Sequence, residues 1–544
     1  MSFMKKVFVR NIVFYLLVLV LFIFPKIMKA QYINNIYIDR RNVFDSLYKD
    51  TFFASDLFNK LHILTKKYVI ENELLFSVDE ELIGYDIYET ERILRGMHIF
   101  SNVSVSAVEL DDGDYDVYVK TQDKWSLEPS LLYGAGGGAY RLGAGLREWN
   151  FLGTATFLQL DGLYNTENNI GWDGLFDIKQ RRLFGTPYSL NASLQSNSVL
   201  TKQLFSLHKE YLNYLVPSSY GIDFFNSFGD IFYYNTTQGT RRLRFTQMSA
   251  RAFYSLSWLK EDKVYFTALA QMDKVNRGDP DYRQAYDNSG WILASFSSVS
   301  DNYLPVSRVN TYLTQDLCVG GYGNAVIGAT FKLNDDGESL YYLGAQGEKS
   351  ALFKNTYLFG QITGASAFQK NAKPKYTYLE FNGLAFHNFS PSWVLAARLK
   401  QQTAWNWDAQ RQLVLDNDAG LRGYNLNEIS GDNRIVANFE MRFFPDWGIS
   451  FIRFSGAVFF DIGTAWNQDV QLWDTQWYQS AGIGIRIHNL KSSADNEVVR
   501  IDFAYNFKEG RFGKIIISSG QLFSLIAPHQ YKIPEIFGRD FDEY

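Results

Sequence analysis

The stretch Ile435-Val-Ala-Asn-Phe-Glu-Met-Arg-Phe443 alternates between apolar and polar side chains. Successive side chains of a strand point to opposite faces, so one face is apolar and the other carries Asn438, Glu440 and Arg442. Residues 451–463 sort likewise, with Ile452, Phe454, Val458, Phe460 and Ile462 on one face and Arg453, Ser455, Phe459 and Asp461 on the other. This alternation is typical of a transmembrane β-barrel, whose closure leaves no backbone group unpaired against lipid. We therefore expect Glu440 and Asp461 to line a barrel interior.

The composition favours the same fold class. The 544 residues are 46% hydrophobic and 17% aromatic, with 35 Tyr and 12 Trp. A mean hydropathy of -0.19 excludes a helical membrane bundle, whereas barrel strands are only half apolar and gather Tyr and Trp at the membrane interfaces. The net charge of -5 forms no basic patch, which argues against nucleic acid as a partner.

Residues 1–30 are typical of a secretory signal peptide. Lys5, Lys6 and Arg10 precede an uninterrupted apolar run over residues 12–24. This run is too short for a membrane-spanning helix, which needs about 20 residues. We expect the mature chain to begin at Gln31.

Residues 31–124 have the pattern of a small α+β domain. We predict a strand over 35–40, a helix over 66–76 with Thr65 as its N-cap, and a second helix that begins near Asp86. Alternating stretches at 103–108 and 115–120 flank Asp111-Asp-Gly-Asp114 and predict a hairpin. The sequence leaves open which strand has a free edge.

Two motifs resemble those of a known superfamily. Asp418-Ala-Gly-Leu-Arg-Gly-Tyr424 resembles the loop-six motif of the BamA/TamA-type outer-membrane insertases and two-partner-secretion translocators, and Phe459-Phe-Asp-Ile-Gly463 resembles a later strand motif. An isolated Arg-Gly pair would be read as a solvated surface turn, but the order and spacing of the motifs argue against that. The resemblance implies that Arg422 enters the lumen and meets acidic residues there. The predicted site comprises Gly420, Arg422, Gly423, Tyr424, Glu440 and Asp461.

The element order of residues 31–124 resembles a POTRA domain, the periplasmic module of that superfamily. Glu91-Arg-Ile-Leu-Arg95 followed by Ile99-Phe-Ser-Asn-Val103 resembles its passage from second helix to strand. One such domain is predicted, whereas assembly-core members usually carry several. This difference argues against a housekeeping insertase role.

Residues 125–523 are predicted to form the barrel and 524–544 a C-terminal extension. The resemblance implies a mainly β fold of about 16 strands. Strand one is predicted over 127–138 and the closing strand over 515–523, and glycines weaken the pairing between them. The predicted lateral seam comprises Gly134, Gly136, Gly137, Gly138, Gly520 and Phe523.

Catalytic and metal-binding patterns are absent from the sequence. His62, His98, His208, His387, His488 and His529 show no metal-ligand spacing. The lone cysteine, Cys318, is expected to be a small half-buried residue. No G-x-S-x-G elbow or phosphate loop occurs, so we expect no enzyme, cofactor or metal site. A barrel lipase is the enzymatic alternative, and it would need a Ser-His pair at the membrane rim.

The resemblance implies a bacterial outer-membrane protein that inserts or exports β-rich clients through a lateral seam. Its expected partners are outer-membrane lipids, unfolded outer-membrane or secreted client proteins, and accessory lipoproteins. Two alternatives remain open at this point. One is a passive translocation pore of the two-partner-secretion kind, and the other is a porin-like structural barrel.

Overall fold

The computed structural model describes residues 31–44, 59–60, 62–235, 239–258, 262–312, 315–449, 452–489, 498–513, 515–524 and 529–539. The chain divides into two compact units, Met1–Trp125 and Ser126–Tyr544. The predicted signal peptide, 1–30, lies outside the described residues. Within the described ranges, no helix has the length and apolar character needed to cross a membrane.

Within its described residues, the first unit contains three strands and two helices. They are β1 (Ile33–Arg41), α1 (Lys67–Glu71), α2 (Gly84–Gly96), β2 (Phe100–Glu109) and β3 (Tyr115–Asp123). The strands form one sheet in the order β1-β3-β2, with β1 parallel and β2 antiparallel to the central β3. The edge strands of this sheet, which the sequence left undecided, are therefore β1 and β2.

The first helix begins differently from its prediction. Lys66, not Thr65, is its N-cap residue, and no side chain caps the helix. The Thr65 hydroxyl instead donates to Asp123 Oδ2 at 2.8 Å, where His62 Nε2 also lies at 2.9 Å. Asp123 is fully buried, and a buried carboxylate needs such partners. The prediction of a Thr65 cap was wrong because a distant carboxylate competes for the hydroxyl.

The second unit is a closed antiparallel barrel. Its strands and those of its connections, in chain order, are β4 (Leu127–Gly136), β5 (Ala139–Glu148), β6 (Thr156–Asn165), β7 (Gly171–Gln180), β8 (Tyr188–Asn197), β9 (Leu200–Lys209), β10 (Ser218–Asn235), β11 (Gly239–Trp258), β12 (Lys263–Arg277), β13 (Ser289–Val306), β14 (Gln315–Lys332), β15 (Tyr341–Phe353), β16 (Thr356–Phe368), β17 (Pro374–Ser390), β18 (Trp393–Trp405), β19 (Leu413–Leu415), β20 (Ile429–Gly431), β21 (Asn433–Phe443), β22 (Gly448–Ile449), β23 (Ile452–Trp466), β24 (Tyr478–Asn489), β25 (Val498–Asn506), β26 (Arg511–Phe512) and β27 (Ile516–Ser519).

The barrel wall has more strands than expected. β19 and β20 form a separate two-stranded sheet, and β22 and β26 are two-residue segments. Over the described residues, the wall therefore has 20 strands. The prediction of about 16 was wrong because tight connections, such as the two residues between β15 and β16, leave room for more strands.

The two faces of the wall differ in polarity. Along β12, Tyr265, Thr267 and Leu269 are buried, whereas Phe266 between them is exposed. Many outward side chains are large and apolar, including Leu131, Leu142, Trp172, Ile292 and Ile362. An exposed apolar surface of this extent suits contact with lipid and not with water.

Two segments lie inside the barrel. The tongue, defined as residues 406–432, joins β18 to β21 and contains the β19–β20 pair. The C-terminal segment, defined by the described residues 521–524 and 529–539, follows β27. In it, Tyr531 hydroxyl lies 3.0 Å from Thr267 Oγ1, and Phe537 N–H donates to Tyr342 hydroxyl at 2.7 Å. Both partners face inward, so this segment runs along the inner wall.

Candidate functional site

The tongue is folded around one buried carboxylate. Asp416 accepts backbone N–H groups of Asp418 and Ala419 at 2.9 Å each, and that of Asn427 at 2.8 Å. Tyr424 is buried, and its hydroxyl donates to Gln479 carbonyl at 2.9 Å. These bonds fix the loop that carries Arg422.

Two glycines allow this loop to approach the wall. Gly420 and Gly423 have φ of +112° and +86°, in the range that side chains rarely adopt. A Cβ on Gly420 would meet Arg398 Nη2 at 2.1 Å, and one on Gly423 would meet Ala504 Cβ at 2.9 Å. Both conformation and space therefore require glycine.

Arg422 meets both predicted carboxylates. Its guanidinium donates through Nε and Nη2 to the two oxygens of Asp461, each at 2.8 Å, and through Nη1 to Glu440 Oε1 at 2.6 Å. The guanidinium carbon also lies 3.5 Å from the centre of the Phe459 ring. All three charged side chains are 0% exposed. This is bidentate, charge-assisted recognition, the geometry that arginine provides and lysine does not.

A third carboxylate, Asp502, was not predicted from the sequence. It is fully buried, lies 3.4 Å from Arg422 Nη1, and pairs with Arg486 at 2.5 Å. Arg442 pairs with Glu440 at 2.8 Å. Along β25, Asp502 is buried between half-exposed residues. This alternation indicates that Asp502 faces inward, but it does not indicate that Asp502 lies beside Arg422.

Asn438 links the loop backbone to this charge cluster. Its amide donates to Gly420 carbonyl at 2.6 Å and to Asp461 Oδ1 at 2.7 Å. Although burial alone would lower it, the carboxylates of Asp461 and Glu440 hold the pKa of Arg422 above its ordinary value. The loop is thus attached to the wall by ionised groups and by a neutral amide.

The barrel closes between β27 and β4 through very little pairing. Ile517 and Ala135 are the single pair of partners across this seam among the described residues. By contrast, β4 pairs with β5 along its whole length. A cavity of about 380 Å³ opens at the seam, lined by residues that include Gly134, Arg141, Ile517 and Asp418.

The predicted seam residues fall in three different settings. Gly134 and Gly136 lie in β4. Gly137 and Gly138 instead form the two-residue turn to β5, with φ of +54° and +91°, as a tight hairpin requires. Their assignment to strand one was therefore wrong.

The closing strand also ends earlier than predicted. β27 stops at Ser519, and Gly520 and Phe523 lie beyond it. Phe523 is buried in the barrel interior, where its carbonyl accepts from Arg442 Nη2 at 2.8 Å. Its prediction as a seam residue was wrong because the closing strand ends at Ser519 and the chain then turns inward.

The tongue also contacts the β4–β5 hairpin beside the seam. Leu426 N–H donates to Gly137 carbonyl at 2.9 Å, and Arg141 pairs with Asp418 at 3.1 Å. A Cβ on Gly137 would meet Leu426 N at 2.5 Å. The turn beside the seam therefore packs directly against the loop that Arg422 anchors.

Three solved structures are similar to this chain in fold. BamA from Haemophilus ducreyi, lacking POTRA domains 1–3, is 13% identical with a TM-score of 0.43, over 90% of this chain and 84% of that one. CdiB from Acinetobacter baumannii is 10% identical with a TM-score of 0.44, over 90% and 74%. CdiB from Escherichia coli is 9% identical with a TM-score of 0.43, over 89% and 75%. No family model and no curated protein matches the chain.

Proposed function

We propose that this chain is an outer-membrane β-barrel that inserts or exports protein clients, with the seam between β4 and β27 as the place where a client strand pairs. The single pair of partners across the seam carries this proposal. Residues 127–134 of β4 have no strand partner on that side within the described ranges. Unpaired strand edges are templates for an incoming strand.

The energetics favour opening at this place. Each backbone hydrogen bond contributes roughly 0.5–1.5 kcal/mol in water, and an unpaired group against lipid costs more. With one residue pair to break, the β4–β27 boundary opens at a lower cost than the fully paired β4–β5 boundary. A client strand would then form hydrogen bonds with the backbone groups of the strand edge that opening exposes.

The tongue would support the seam strand from within. Its contacts to Gly137 and Arg141 join the β4–β5 hairpin to the Arg422 cluster. We propose that Arg422, Glu440 and Asp461 hold the tongue in place while the seam opens. They position the loop and take part in no covalent step.

The first unit would receive clients on the periplasmic side, as a POTRA-like domain. Its outer strand β2 pairs only with β3 among the described residues. That edge offers a second place for an extended client segment to pair.

A passive pore or a porin-like barrel is less well supported. Both need an open lumen, yet the tongue and the C-terminal segment run through the interior. Salt bridges from Arg422 and from Lys532, the latter to Glu348 at 2.5 Å, attach these segments to the wall. High conductance without any effect on client assembly would favour these alternatives.

Disulfide locking of the seam tests the proposal. Ala135→Cys and Ile517→Cys place two thiols at the paired positions, in a background where Cys318 is replaced. In cells depleted of the native chain, oxidation should reduce the outer-membrane protein content and reductant should restore it. The matched control is Leu142→Cys with Tyr164→Cys, partners across the fully paired β5–β6 boundary. Equal client assembly by the locked seam variant and this control would refute lateral opening.

A further inference from the structure

Three potential metal ligands meet at the inner wall of the barrel. Asp301 of β13, Cys318 of β14 and His529 of the C-terminal segment each offer one ligand atom, and these atoms lie within 4.8 Å of one another. No sequence pattern groups Cys318 with His529, because they are far apart along the chain. The fold joins them by returning the C-terminal segment into the lumen.

The His529 ring is oriented as in protein metal sites. Its Nδ1 lies 2.9 Å from Glu348 Oε2. Metal-binding histidines commonly donate one ring N–H to a carboxylate, which fixes the tautomer and leaves the other nitrogen as a ligand. Glu348 is the matching carboxylate for His529.

In that tautomer the second ring nitrogen, Nε2, carries a lone pair. Its neighbour is Ser350 Oγ at 3.1 Å. That hydroxyl also lies 3.0 Å from Cys318 carbonyl, to which Tyr357 hydroxyl donates at 3.2 Å. A neutral imidazole therefore offers its Nε2 lone pair either to the Ser350 hydroxyl or to a metal ion.

Asp301 contributes an independent observation. Tyr303 hydroxyl donates to its Oδ2 at 3.2 Å. The other oxygen, Oδ1, is buried without an N–H or O–H donor among the described residues, and the Cys318 thiol is the remaining hydrogen-bonding neighbour of this carboxyl group. A buried carboxylate oxygen without a partner is costly, and coordination of a cation would remove this cost.

We propose that Asp301, Cys318 and His529 bind one Zn²⁺ ion, which ties the C-terminal segment to the barrel wall. Thiolate, imidazole and carboxylate are the ligands that Zn²⁺ takes, whereas Ca²⁺ and Mg²⁺ prefer oxygen alone. One thiolate and one carboxylate balance the charge of the ion. Binding deprotonates Cys318 and is therefore stronger at higher pH.

The full chain, refolded in detergent micelles after chelation, tests the site. We expect one equivalent of Zn²⁺ to bind, and Co²⁺ in its place to show the absorption of a thiolate-ligated tetrahedral ion. Chelation should also make the C-terminal segment more susceptible to protease. Glu348→Gln should weaken binding by about 10–100-fold, the usual effect of losing the carboxylate behind a ligating histidine.

His529→Gln should abolish stoichiometric binding. His529 lies outside the barrel strands, so the variant should keep the heat-modifiable gel shift of the folded barrel. The matched control is His387→Gln on β17, whose ring bonds Thr356 Oγ1, and which should bind like the wild type. The proposal is overturned if the wild type binds no stoichiometric metal, or if His529→Gln and His387→Gln bind alike.

Discussion

At the scale of single residues, Arg422 is the cation that pairs with the two predicted carboxylates of the candidate site. Arg422→Ala should leave Glu440 and Asp461 buried without their cation, and removing one partner of a buried pair costs about 3–5 kcal/mol. We expect a lower denaturation midpoint in the heat-modifiability assay and loss of client assembly. Arg422→Lys should be intermediate, because lysine keeps the charge but not the fork geometry.

Arg511→Ala is the matched control for Arg422. Arg511 pairs with Glu509, but its side chain is 74% exposed. Exposed pairs contribute roughly 0–1 kcal/mol, so this variant should behave like the wild type. Equal midpoints for Arg422→Ala and Arg511→Ala would contradict a role for Arg422 in holding the tongue.

Gly423 gives a second prediction at this scale. Gly423→Ala forces a side chain into a positive-φ conformation and against Ala504, which should destabilise the folded barrel by about 1–3 kcal/mol. Gly456→Ala is the matched control, since its added Cβ would meet nothing closer than Gly484 carbonyl at 3.9 Å. Unfolding of both variants in urea provides the comparison, and indistinguishable midpoints would show that the tongue tolerates a shift at Gly423.

At the scale of elements, the C-terminal segment distinguishes a filled lumen from an open one. Truncation after Ser524 removes residues 525–544, and with them the hydrogen bond from Phe537 to Tyr342 and the salt bridge from Arg539 to Asp273. A cavity of about 580 Å³ borders this segment, so its removal should widen the interior. We expect higher conductance in planar bilayers and lower heat resistance.

Truncation after Arg539 is the control for this experiment. It removes only residues 540–544 and keeps every described contact of the segment. Its conductance should match that of the full chain. Unchanged conductance after the longer truncation would mean that the tongue alone limits passage through the lumen.

The elements also show which features local sequence patterns predict correctly. The hairpin of β2 and β3 and the helix α2 lie close to their predicted positions, because turn residues and helical periodicity act over a few residues. The prediction of Thr65 as an N-cap was wrong because Asp123, which accepts the hydrogen bond from its hydroxyl, is distant in sequence. The prediction of the closing strand was wrong because the path after Ser519 depends on contacts with β21, a strand distant in sequence.

At the scale of the whole molecule, the division at Trp125 and Ser126 allows the two units to be separated. Deleting residues 31–124 should leave a barrel that folds into membranes, because Arg422, Glu440 and Asp461 all lie in the second unit. We expect client maturation to be lost with the proposed docking sheet. Gel mobility before and after heating reports folding, and protease protection of clients reports maturation.

The control for this deletion is a full-length variant with the same signal peptide and equal abundance in the membrane. Full client maturation by the deletion variant would rule out a docking role for the first unit. It would also favour the pore interpretation, since a pore needs no receiving domain.

The sequence by itself determined the period-two alternation, and with it the barrel class and the inward direction of Glu440 and Asp461, because the direction of a side chain depends only on its place in a strand. It also supplied the Arg-Gly-Tyr motif. Only the tertiary structure decided the number of strands, the single pair at the seam, the addition of Asp502 to the Arg422 cluster, and the meeting of Cys318 with His529. These features depend on how distant strands close upon one another and on where the chain turns after closure, and no local pattern encodes either.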